Sequence, residues 1–239
     1  MILNLSYGKR YNMNYFLLVI LVLSVVLIYF SETFSWFFKS LGKESKGSII
    51  SLGNMLIYSS RIFAFSYMIS MSYLIETGRV DKDIALFIAI ALLLSGFVHL
   101  LFYNKKSKIK IVVKIYLFIF NKFKIRTPSI DSLSFNSNVV HVKHKKIYLL
   151  TAFSTILFNL ALTLPYIMST YFIEYRLTIS SFIPLLNFIG SVPIVFYIDN
   201  YLFQAMDDGK LDSIIRNYYR GRCLGLFFTS VVMLFIFLY

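Results

Sequence analysis

Residues 15 to 30 read YFLLVILVLSVVLIYF with no charged side chain, and runs of this kind recur along all 239 residues. A backbone that enters hydrocarbon finds no water to bond its amides, so such runs must close their hydrogen bonds within helices. A helical span takes ~20 apolar residues, and six segments qualify: about 15 to 38, 49 to 74, 84 to 104, 147 to 173, 179 to 202 and 218 to 239. A chain that is 58% hydrophobic and 15% charged is neither a water-soluble globule nor a disordered tail. The expectation is an all-α, polytopic membrane protein with a single integral domain over residues 1–239. Lys9 and Arg10 precede the first run as they would in a signal peptide, but no small-residue cleavage site follows and the run is too long, which predicts an uncleaved first span.

The net charge of +13 is concentrated in the segments between spans, where it sets topology and meets anionic lipid headgroups rather than nucleic acid. With the N-terminus outside, the cytoplasmic side collects Lys39, Lys43 and Lys46, the dense basic loop 105–146, and Lys210, Arg216, Arg220 and Arg222. Both termini are therefore expected outside. Within the basic loop, Lys106, Lys110, Lys114, Asn121 and Lys124 form one helical stripe interrupted by Leu117, while Ile111, Val112, Ile115, Tyr116, Phe118 and Ile119 face elsewhere. That pattern predicts an amphipathic helix over 109–125 lying on the membrane, with a re-entrant segment as the alternative. The Ser/Asn-rich stretch 127–140 reads as a solvated loop.

Polar side chains inside spans are the functional candidates, because a charge at mid-bilayer costs at least ~2.5 kcal/mol on insertion scales. Arg61 is the most central. Counting about 1.5 Å per residue, it lies about 18 Å from the cytoplasmic end of its span, with Glu32 about 9 Å deep and Asn54 about 7 Å. An Arg61–Glu32 pair would ease two desolvation penalties at once. His99, Asn159, Asn187 and Asp199 complete the set, with His99 read as an interhelical hydrogen-bonder. Pro165, Pro184 and Pro193 interrupt the fourth and fifth spans, either as packing kinks or as breaks that line a polar path. Asp207-Asp208-Gly209 reads as a turn.

No catalytic pattern stands out. The chain has no glycine-rich phosphate loop, nucleophile elbow or zinc-type HExxH. His141 and His144 sit among Lys143, Lys145 and Lys146, which would repel a cation, and the one cysteine, Cys223, forms no internal disulfide; neither metal nor cofactor is expected.

Four stretches, in order and suitably spaced, resemble the Amj family, bacterial lipid II flippases whose name means alternate to MurJ. Glu32 and Thr33 resemble the acidic/Thr pair ending the family's first span, and Ser51, Leu52, Asn54, Ser60 and Arg61 its LSxxN followed by SR. Glu174, Tyr175, Arg176 and Thr178 resemble its EYRxT element, with Asn187 and Gly190 as the N-G pattern that follows. Asp199 and Asp208 fall where the family carries aspartates, and Arg222 with Gly225 on its R-x-x-G. Asn200 and Ile173 stand where the pattern has proline, and the third span with its loop shows no match.

The resemblance implies a flippase, not an enzyme, that moves an undecaprenyl-pyrophosphate-linked saccharide, lipid II or a related lipid-linked oligosaccharide, across a bacterial cytoplasmic membrane. Arg61 and Arg222 would bind pyrophosphate, Asn54 and Asn187 would contact sugar or peptide amides, and Glu32 and Asp199 would release Arg61 or take up protons. Glu174 and Arg176 join the substrate-binding set through the EYRxT element. A composition rich in Ile, Phe, Tyr, Lys and Asn, the products of AU-rich codons, keeps an O-antigen or capsule repeat unit open as the cargo. The rival from another class is a membrane glycosyl- or acyltransferase, whose acid/base candidates are Asp199, Asp207 and Asp208.

Overall fold

The computed structural model describes residues 2–41, 46–76, 83–104, 106–125, 127–128, 133 and 144–239. They form helices α1 (Ile2–Ser40), α2 (Lys46–Glu76), α3 (Asp83–Asn104), α4 (Lys106–Lys122), α5 (Lys145–Tyr171), α6 (Arg176–Pro193), α7 (Asp199–Asp207) and α8 (Leu211–Leu238). A 3-10 turn, Ile173–Tyr175, leads into α6, and a π-helical turn, Ile194–Ile198, joins α6 to α7. The protein is an all-α, polytopic membrane protein. Six stretches are long and apolar enough to cross a bilayer: Tyr15–Ser40, Gly47–Glu76, Asp83–Leu100, Lys145–Ser169, Ile173–Asp207 and Leu211–Leu238.

The last span departs from the expected boundary. α8 begins at Leu211, about two turns before residue 218, because Leu211, Ile214 and Ile215 are buried in the core although polar residues separate them. The turn before it follows the Asp-Asp-Gly reading: Gly209 takes a positive φ of 70°, and the Lys210 amide donates to the Ala205 carbonyl at 2.7 Å.

α1 packs along α2 and α3, α3 packs along α8, α8 along α5, and α5 along α6. The α5–α8 seam is a glycine seat. A Cβ on Gly221 would lie 2.5 Å from the Tyr148 carbonyl oxygen, and one on Gly225 2.6 Å from Thr155 Cβ. Close approach through small-xxx-small spacing is the usual way apolar helices hold together where no hydrophobic drive separates them from lipid. Facing α3, Cys223 is buried and its thiol donates to the Gly96 carbonyl at 3.5 Å.

The bundle has two buried cores of different texture. One end, carrying Lys39, Lys145, Lys146 and Lys210 and hereafter the lysine-rich end, is aromatic: Phe34 meets the Tyr116 ring edge-on at 5.3 Å, and Trp36 meets Phe203 at 5.1 Å. The other end is aliphatic, built from residues such as Leu21, Val25, Ile88, Ala89, Leu92, Leu226 and Met233.

Helix α4 lies on the aromatic end. Its Val113 and Leu117 are buried there and Tyr116 donates to the Leu52 carbonyl at 3.2 Å. Leu117, which interrupts the basic stripe in the sequence, thus marks the docking face, while Ile111, Ile115, Phe118, Ile119 and Phe123 form a second, exposed apolar face beside Lys110 and Lys114. Most of 127–140, together with His141, lies outside the described residues.

The prolines act unequally. α5 runs through Pro165 as one helix, whereas the fifth span changes register directly after Pro193, where the missing amide donor admits the π turn. α6 touches its neighbour along a narrow line: a Cβ on Gly190 would sit 3.3 Å from Leu157 Cβ, and most other α6 side chains are exposed.

Candidate functional site

The glycine seat that presses α8 onto α5 also aims Arg222, the residue after Gly221, off the seam and towards α1. There its guanidinium forms an ion pair with Glu32. A second amino group donates to the Tyr218 hydroxyl at 2.7 Å, and the guanidinium carbon lies 5.4 Å from the centre of the Tyr29 ring and 5.6 Å from that of Tyr218. Arg222 Nε is buried and has no hydrogen-bond partner among the described residues. The two partners differ in access: 10% of the Arg222 side chain is exposed against 31% for Glu32, so the pair is reached from the carboxylate side.

Polar contacts around the pair fix the helices that carry it. The Tyr29 hydroxyl donates to Asn159 Oδ1, and Asn159 Nδ2 in turn donates to Thr229 at 3.4 Å, tying α1, α5 and α8. His99 bonds Ser95 through Nδ1 at 2.8 Å; since a carbonyl only accepts, Nδ1 carries the proton, and Nε2 is left to accept from the Thr33 hydroxyl. A neutral imidazole with both nitrogens engaged is the interhelical hydrogen-bonder expected of His99. Tyr219 donates to the Thr33 carbonyl at 3.3 Å, so both faces of the Glu32–Thr33 step are held.

Two helical turns below Glu32, Lys39 occupies an aromatic box. It is only 2% exposed, with Nζ 4.3 Å from the centre of the Trp36 ring and 5.3 Å from that of Phe203. Gly53 makes the room: a Cβ there would fall 2.8 Å from Lys39 Cε and Cγ. Asp199, half-buried at the start of α7, lies within electrostatic reach of Lys39, Arg222 and Glu32. Two cations and two carboxylates therefore occupy the interior of the lysine-rich half.

The remaining candidates fall elsewhere. Arg61 does not pair with Glu32, because Arg222 already holds that carboxylate; Arg61 is exposed, its guanidinium carbon 5.3 Å from the centre of the Tyr58 ring one turn away. Its place is still informative. Asn54, Arg61 and Ser72 follow one line along α2, and at the far end of that line Ser72 faces the Tyr166 hydroxyl of α5 while the neighbouring Tyr67 donates to the Leu162 carbonyl at 3.1 Å. Only the Ser72 end of the line is placed beside α5 by these contacts; Arg61 itself is exposed. Asn187 is half-buried on α6 near Gly190. Glu174 is exposed, and Arg176 uses Nε to bond the Ser169 carbonyl at 3.1 Å, which staples the turn between α5 and α6. Both lie beyond the far end of α5, about 20 Å in helix rise past Asn159, and do not join Arg222.

Reading charges from the sequence missed Lys39 as a site residue, counting it as a loop lysine. The available signals were its seven-residue spacing from Glu32, which puts both on one face of α1, and the lone tryptophan between them. Tyr29 and Tyr218 gave no such signal, since tyrosines are common in every span. Among the described residues no three His, Cys, Asp or Glu side chains converge as a metal site would require. The chain matches no protein-family model, no curated protein and no solved structure.

Proposed function

We propose that this protein is a flippase that carries an undecaprenyl-pyrophosphate-linked saccharide from the cytoplasmic to the periplasmic leaflet of a bacterial membrane. The observation that carries the reading is the buried Arg222–Glu32 pair in the interior of a membrane-length bundle, with an Nε unpartnered among the described residues and an accessible carboxylate. The barrier to flipping lies in the headgroup, whose sugars and charges cannot cross ~30 Å of hydrocarbon without replacement contacts. Arg222 supplies charge-assisted donors. A phosphate that displaces Glu32 keeps the guanidinium paired, so the exchange avoids the several-kcal/mol penalty of a bare buried ion. Arg61 and Asn54, on one line of α2, and Asn187 on α6 offer contacts to the saccharide as it passes. The family resemblance of these same motifs supports the reading, and lipid II and a polysaccharide repeat unit share the required chemistry.

A transferase would need an acid and a base at one reacting centre. Asp199 lies within electrostatic reach of Lys39 at the start of α7, while Asp207 and Asp208 are exposed at its other end, with Asp208 bridging Lys210 at 3.4 Å.

The decisive experiment uses the fact that a flippase leaves its lipid unchanged. Cells depleted of the protein are expected to accumulate intact lipid-linked precursor on the cytoplasmic leaflet, and purified protein in detergent to leave precursor mass unaltered. A turnover-dependent mass change would overturn the proposal. Rescue of a strain lacking its lipid II flippase assigns the peptidoglycan precursor; restored O-antigen or capsule without rescue assigns the repeat unit.

A further inference from the structure

A lysine in the last turn of a span normally extends its stem along the apolar surface and places its ammonium in water. Lys39 does the opposite. It folds inward until 2% is exposed, and among the described residues its ammonium has no hydrogen-bond partner, only the faces of Trp36 and Phe203. A lysine kept solely to lock helices would have its donors satisfied by carboxylate or carbonyl oxygens, as Arg222 does with Glu32. Instead its three donors face two aromatic rings in a space that depends on the missing side chain of Gly53.

The covering element is one short helix, seated on the aromatic core through Leu202, Ala205 and Met206. Phe203 and Asp199, the ring above Lys39 and its nearest counter-charge, lie one turn apart on α7. α7 is a nine-residue helix set between the π turn that follows Pro193 and the Gly209 turn with its φ of 70°. A single displacement of α7 removes both the ring and the carboxylate from Lys39.

We propose that Lys39, Trp36 and the α7 residues Asp199 and Phe203 form a second anion site at the lysine-rich end, whose ligand is a diphosphate group and whose cover is α7. The site rests on the flippase reading for its ligand class, and it adds the entry step: a diphosphate binds the Lys39 ammonium directly, which the more distant Asp199 carboxylate does not, before its headgroup reaches Arg222, two turns deeper along α1. The tetrahedral oxygens of a diphosphate engage all three ammonium donors, which a ring face does not. Trp36 then packs beside the bound anion.

Trp36 is the one tryptophan in the chain, so its emission reports this site without labelling. Purified full-length protein in phosphatidylcholine nanodiscs is titrated with inorganic pyrophosphate and, separately, with farnesyl diphosphate. Trp36 emission is expected to change saturably with both, the isoprenoid form saturating at lower concentration because its tail partitions into the bilayer. Lys39→Met, which keeps the volume of the stem, should raise half-saturation at least about tenfold, the factor carried by one charge-assisted hydrogen bond. Phe203→Leu should lower it, because the ring no longer competes for the ammonium; a gain of affinity cannot come from misfolding. Saturation by inorganic pyrophosphate with no response to the isoprenoid form would overturn the lipid ligand. Absence of any saturable response, or an unchanged one in both variants, would overturn the site. The two proposals separate cleanly: a Trp36 response without precursor accumulation in depleted cells keeps the site and removes the flippase, and accumulation without a response removes the site alone.

Discussion

Arg222 and Arg61 both lie well inside helices long enough to cross a bilayer, yet one is enclosed and paired while the other stands exposed over a tyrosine ring. The difference comes from the helices and not from the residue type. α8 is pressed onto α5 by Gly221 and Gly225, which brings the next side chain round into α1 and its carboxylate. α2 meets α5 near Tyr67 and Tyr166, whereas Arg61 is exposed, so among the described residues no such wall encloses it. A buried, partnered arginine is fixed by its neighbours, whereas an exposed one is fixed by little beyond its own helix. The contrast explains why depth alone, measured along each helix, selected the wrong partner for Glu32.

The strongest way to break this contrast is to remove the enclosed charge. Arg222→Ala strands Glu32 and is expected to cost about 3 kcal/mol, the low end for half of a buried pair because Glu32 keeps some access, with transport lost; thermal unfolding in detergent reads the first effect. The double change Arg222→Leu with Glu32→Leu should recover that stability without recovering transport. Recovery of transport in the double variant would reduce the pair to a structural lock.

Next in size is the seat that creates the enclosure. Gly225→Val drives a branched side chain into Thr155 and the Ala152 carbonyl and should cost about 1–3 kcal/mol as overpacking. A melting temperature equal to that of the unaltered chain would contradict the close α5–α8 approach.

His99→Phe deletes the Thr33 and Ser95 bonds beside Glu32 while filling the volume, with an expected loss of about 1 kcal/mol and weaker transport. Smallest in stability is the exposed arginine. Arg61→Leu should move unfolding by less than about 0.5 kcal/mol, as for a surface change away from packed features, yet lower transport, and Arg61→Lys should not restore it because lysine lacks the planar fork. Full transport in Arg61→Leu would confine the site to the α1–α8 seam.

The membrane spans were legible because apolar length is written directly in the residue order; α2, α3 and α5 begin and end close to where hydropathy places them, and α1 ends there, although its helix begins at Ile2, well before the apolar run. The helix in the basic loop was legible from its stripe, although the meaning of Leu117 required knowing what it docks on. Lys39 was misread because charge near a span end predicts topology equally well whether the stem turns out or in. The fifth span shows the same limit. Pro193 announces a break, but whether the chain kinks or inserts a π turn depends on how the span packs on its neighbours, which no local pattern records.

The Cys223 thiol, shielded between α8 and the Gly96 carbonyl of α3, bears on how this chain can be mapped. A thiol reagent added from water meets no accessible native target in the folded bundle, so single cysteines can be placed one at a time in the otherwise unaltered protein. A cysteine at position 135 should then react with an impermeant maleimide only after the cells are opened, and one at Tyr239 in intact spheroplasts. The opposite pattern would invert the orientation of the whole molecule. The same background lets a cysteine on α6 and another on the Asn54–Arg61 flank of α2 report, by whether they can be bridged, how far those two helices approach each other in the bilayer.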